Sequence, residues 1–70
     1  MMPLSMAPMG EEHTIVRLGG NDKAKQHLAD LGFIPGVKVT VLSCLGGNII
    51  VSLKATRIAI SCEMASKIMV

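Results

Sequence analysis

Residues 28–36 read Leu28-Ala29-Asp30-Leu31-Gly32-Phe33-Ile34-Pro35-Gly36, and the fold turns on how this stretch is read. Leu28 and Leu31, together with Ala24, recur at i, i+4 and i+7, which is one apolar stripe of a helix. Gly32 can adopt the left-handed conformation that closes a helix, because it has no Cβ to clash with the following carbonyl. Pro35-Gly36 then bars continuation and turns the chain. Upstream, Asn21 or Asp22 offers a side-chain oxygen to the free N–H groups of a first turn. The spacing therefore predicts a helix of about ten residues that stops at Gly32, with Phe33 and Ile34 between the two stop signals.

Working outward, the chain changes period from 3.6 to 2. From His13 to Leu18, Thr14, Val16 and Leu18 share one face and His13, Ile15 and Arg17 the other, as in a strand that ends at Gly19-Gly20. Val37 to Ser43 alternates again, with Val37, Val39 and Val41 on one face. Gly46-Gly47-Asn48 supplies the positive-φ positions of a hairpin loop. Ile49, Val51 and Leu53 begin the buried face of the return strand. After a turn at Ala55-Thr56, Arg57 to Ser61 forms a third antiparallel strand with Ile58 and Ile60 inward. Ser61 caps a last helical turn that carries Glu63 near its positive end, with Met64, Ala65 and Ile68 as apolar contacts, and Met69-Val70 pairs as a closing strand. Five short strands around one aliphatic core are best satisfied by a closed or nearly closed barrel, because closure removes edges that invite aggregation.

Composition bounds the rest. A chain of 70 residues has room for one core, and a domain of this size buries only about 60% of the surface its unfolded chain exposes. Half the residues are apolar and 17% are charged, a balance that excludes intrinsic disorder. Trp and Tyr are absent and Phe33 is the one aromatic residue, so the core is built from aliphatic side chains and methionine. The net charge of +2 comes from basic residues scattered singly along the chain, the pattern of a solvated exterior. Residues 1–10 hold four of the six methionines and two of the three prolines and read as an extended arm able to pack back on the body, too short in apolar run for a membrane span. Cys44 and Cys62 stand 18 positions apart without a CxxC, which predicts two reduced thiols and a cytoplasmic setting.

Taken in order, these segments resemble a known family. Leu28 to Gly36 matches the pattern L-x-x-L-G-[hydrophobic]-x-P-G of FeoA proteins, a valine-rich strand follows it, and Ile49 to Val70 resembles the family's closing pattern through Ala65, Ile68 and Val70. The resemblance covers residues 4–70. It departs at Gln26-His27, where the family often has Arg, and at Ala55, where it often has Gly in the last hairpin. The resemblance implies a mainly β, SH3-like barrel of about five strands, with one helix inserted after the first strand and a short C-terminal helical turn. It also implies an accessory of ferrous iron uptake that docks on the cytosolic part of FeoB, a membrane transporter, and modulates it. The same small barrel is similar to the C-terminal domain of iron-dependent repressors, so fold alone does not fix the role.

The chain offers no catalytic spacing among its two histidines, two thiols and five carboxylates, and a non-enzymatic binding module is expected. Candidate metal ligands are His13, His27, Cys44, Cys62, Glu11, Glu12, Glu63 and the methionine thioethers; no cofactor is required, and weakly held Fe(II) or another transition metal is compatible with this set. Glu11, Glu12 and His13 read as a solvated lead-in to the first strand, and His27 as a solvent-facing residue one turn after Lys23. For partner contact the expected residues are Lys25, Leu31, Gly32, Phe33, Ile34, Pro35 and Gly36, because a helix end followed by an apolar pair is a surface that docks; the alternative is that Phe33 and Ile34 plug the barrel. Self-association is also compatible with the sequence. Two other classes are carried alongside: a metal-responsive regulatory barrel acting on a repressor, and a small nucleic-acid-binding barrel. The second fits poorly with a single aromatic residue and dispersed lysines.

Overall fold

The computed structural model describes residues 1–70. After a 3₁₀ turn at Leu4–Met6, the elements are β1 (Glu12–Thr14), β2 (Arg17–Leu18), α1 (Asp22–Leu31), β3 (Lys38–Leu45), β4 (Asn48–Leu53), β5 (Thr56–Ser61), α2 (Cys62–Ala65) and β6 (Ile68–Met69). The strands form a four-stranded antiparallel sheet ordered β1-β3-β4-β5 and a two-stranded sheet of β2 with β6, a mainly β architecture with α1 inserted early and α2 near the end. β3, β4 and β5 are the expected meander.

The stretch 28–37 behaves as its chemistry dictates. The Asn21 side chain accepts from the Ala24 N–H at 2.8 Å, and Gly32 ends α1 with φ +106°, its N–H donating to the carbonyls of Ala29 and Leu28. Ile34-Pro35-Gly36-Val37 then forms a turn closed by the Val37 N–H on the Ile34 carbonyl at 3.2 Å. Gly36 sits at φ +91°, the positive-φ third position of a type II turn with proline second. These two stops aim Phe33 inward, where it is 0% exposed and contributes about 1.5–3 kcal/mol of burial.

Around Phe33 the core consists of Leu4, Ile15, Leu28, Val39, Val41, Ile49, Val51, Leu53, Ile60, Ala65 and Ile68. The valines of β3 and the alternate residues of β4 are buried on the faces their alternation predicts.

Two expectations are corrected and a third is made definite. The run from His13 to Leu18 is two strands, not one: β1 pairs with β3, and the chain crosses at Ile15-Val16 so that β2 can pair with β6. At that crossing Ile15 is buried between two hydrogen bonds, its N–H on the Val37 carbonyl and its carbonyl taking the Gly36 N–H, while Val16 turns outward. Residues 1–10 pack back on the body. Met2 and Val70 exchange backbone hydrogen bonds at 2.8 Å each way, Pro3 bridges Met69, and Leu4 is 0% exposed in the core. The meander also carries a bulge: Val41 pairs with Val51 but Ser43 pairs with Ile50, which leaves Leu42 as the extra residue on β3.

Candidate functional site

α1 fully buries one residue, Leu28, with Ala24 and Ala29 half-buried beside it. With about 100° between successive residues, His27 and Leu31 lie on one flank of Leu28 and Lys25 on the other. β5 ends the larger sheet and has no strand on its outer side. The His27–Leu31 flank of α1 stands off from this edge, and the gap is a cleft of about 350 Å³ lined by His27, Leu28 and Leu31 of α1, Ile58 to Ser61 of β5 and Met64 of α2. Its size falls at the lower end of ordinary ligand clefts, and its lining is mainly apolar.

Each residue expected to contact a partner now has a position. Leu31 is 37% exposed on the lip of the cleft, and Ile34 is 42% exposed just beyond the helix end. Phe33 does not share that surface; it is wholly buried, because the Gly32 cap reverses the chain over the core, and the expected exposed pair is reduced to Ile34. Gly32 is itself part of the frame, since a Cβ there would meet Leu53 Cδ2 at 3.0 Å. Pro35 and Gly36 are exposed and form the turn. Lys25 is exposed but away from the cleft. His27 lines the cleft as well as facing solvent, and Ile58, Ile60 and Met64 join it from elements far away in sequence.

The other titratable groups are spread out. His13 packs with its Nε2 shielded from solvent, without a hydrogen bond and 3.9 Å from Glu11 Oε2, so the lead-in to β1 is less solvated than expected. Glu12 and Lys38 form an exposed pair across β1 and β3 at 3.7 Å, of the kind that contributes little. No three His, Cys, Asp or Glu side chains converge on one point. No helix is long and apolar enough to cross a membrane.

Comparison with known proteins agrees with this architecture along its whole length. The FeoA domain model matches residues 2–70. The chain is 37% identical over 70 residues to Fe(2+) transport protein A of Methanocaldococcus jannaschii, covering 100% of this chain and 85% of that protein. Among solved structures, an iron uptake regulatory protein (FeoA) superposes with a TM-score of 0.87 at 33% identity, over 96% of this chain and 89% of that one. The zinc complex of Stenotrophomonas maltophilia FeoA, described as a prokaryotic SH3 domain protein, superposes at 0.84 with 24% identity over 99% and 88% of the two chains. A match over nearly every residue, with the Leu28–Gly36 signature forming the cap and turn that set the core, makes this chain a member of the FeoA family.

Proposed function

We propose that this protein is an accessory of ferrous iron uptake that docks on the cytosolic part of a FeoB-type transporter through the cleft between α1, β5 and α2, and modulates transport. The observation that carries the reading is the apolar cleft with Leu31 on its lip, in a chain of a family whose members include an Fe(2+) transport protein. An apolar recess of this size at an unpartnered strand edge suits one inserted apolar side chain or a short segment of a larger protein. Leu31 and Ile34 provide the surrounding apolar contact. Lys25, on the far flank of Leu28, provides a charge that steers encounter more than it holds the complex.

The test is an amide NMR titration of labelled protein with the soluble cytosolic domain of the transporter, under reducing, metal-free conditions. Shifts gathered on His27, Leu31, Ile58, Ile60 and Met64 are expected, and Leu31→Asp should abolish them while leaving the free spectrum folded. An unchanged wild-type spectrum, together with normal iron uptake after deletion of the protein, would overturn the reading.

A further inference from the structure

The bulge at Leu42 changes which side chains of β3 face the core. Before it, Val39 and Val41 point inward. The extra residue shifts the alternation, so beyond it Ser43 lies opposite half-buried Ile50 and Cys44 opposite buried Ile49, which in turn lies opposite buried Ile60. Directly opposed residues of antiparallel strands share a face. Cys44 is therefore the open end of the core-facing row Cys44, Ile49, Ile60, where an unbulged strand would have turned it away. One step further along, Ser61 pairs with Asn48, and the Cys62 N–H donates to the Gly47 carbonyl at 2.9 Å, which ties the start of α2 under the β3–β4 turn. Cys62 packs against the core from that position, half-buried. Residues 18 apart in sequence thus bring two free thiols to one end of the barrel, with Cys44 open to solvent and Cys62 behind it.

We propose that Cys44 and Cys62 form a two-sulfur site for a soft, monovalent d¹⁰ cation of the Cu(I) class. Thiolates are soft donors and select such ions, whereas Fe(II) and Zn(II) ask for more ligands and, for Fe(II), harder ones. No third His, Cys, Asp or Glu joins the two sulfurs, which leaves an ion satisfied by two donors as the fitting occupant. Exposed Cys44 provides the access route, and Cys62 packs partly against the apolar core behind it. The step moves no electrons: two S–H groups release two protons to solvent, two S–metal bonds form, and the site goes from neutral to a single negative charge with a monovalent ion bound.

The experiment is an anaerobic competition of the reduced full chain against a chromophoric Cu(I) chelator, with parallel additions of Zn(II) and Fe(II). The expected result is one Cu(I) per chain, a thiolate-to-copper absorption band, and a loss of affinity of at least about tenfold in Cys44→Ser and in Cys62→Ser. Amide shifts should centre on residues 44–49 and 60–63. Cys44→Ser changes an exposed side chain and keeps the test sound where Cys62→Ser disturbs folding. Failure to compete with the chelator, undiminished binding by Cys44→Ser, one copper shared between two chains, or Zn(II) or Fe(II) held as tightly at the same two residues would each overturn the proposal.

Discussion

The two hairpin turns of the meander have the same shape and opposite chemistry. Between β3 and β4, Gly46 and Gly47 take φ +57° and +81°; between β4 and β5, Lys54 and Ala55 take +50° and +66°. Both are two-residue turns with positive φ at each central position, the geometry whose twist matches that of the flanking strands. At the first turn glycine adopts it freely. At the second, two residues with Cβ atoms are held where each costs roughly 1–2 kcal/mol. The second turn is imposed from outside: six cross-strand pairs between β4 and β5, with Leu53, Val51 and Ile49 anchored in the core, leave the connecting residues no other conformation. A turn can therefore be a cause of register or a result of it, and this molecule contains one of each kind.

The largest effect should come from a third positive-φ glycine that adds packing to the comparison. Gly32→Val combines φ +106° with a Cβ only 3.0 Å from Leu53 Cδ2, and a loss of about 3 kcal/mol is expected as a lower urea midpoint at constant slope. Gly47→Val isolates strain from crowding, because nothing lies within 4 Å of the Cβ position, and should cost about 2 kcal/mol. A cost at Gly47 equal to that at Gly32 would mean that Leu53 yields and that contact adds nothing. Ala55→Gly should raise stability by about 0.5–1 kcal/mol, since relief of the left-handed penalty exceeds the added freedom of the unfolded chain. A destabilised Ala55→Gly would show that the side chain packs more than its exposure suggests. Lys54→Asn, which tolerates positive φ better than lysine, is expected to gain only about 0.5 kcal/mol, read from the same midpoint.

What could be read in the sequence divides along the same line. Elements whose signals are local were legible: the Asn21 cap, the Gly32 stop, the Pro35-Gly36 turn and the Ser61 cap each act within four residues of the atoms they satisfy. The Gly46-Gly47 turn announced itself for the same reason. Features set by distant partners were not. The turn expected at Ala55-Thr56 lies one residue earlier, at Lys54-Ala55, because nothing in those two residues marks a tight positive-φ turn; and nothing in Val41-Leu42-Ser43 marks a bulge, because one inserted residue leaves composition and local pattern unchanged. The division of His13–Leu18 follows from two different partners, β3 and β6. Leu4 is buried by the end of the chain. The cleft divides in the same way: Leu31 stands out at a helix end, but Ile58, Ile60 and Met64 become its neighbours only when the sheet edge and α2 close around them. For Phe33 the sequence left two readings open, docking surface or barrel plug, and the two stop signals around it turn it inward in the folded protein.

The hydrogen bonds between Met2 and Val70 have a kinetic meaning. They join residues 68 positions apart, and β2 with β6 adds a second pairing across some fifty positions. The β3–β4–β5 meander can zip locally, one short loop after another, but the smaller sheet and the burial of Leu4 must wait until residues 68–70 are available. A growing chain would carry a formed meander with an open flank until residues 68–70 emerge, and closure entropy, not turn formation, would set the slowest step of folding.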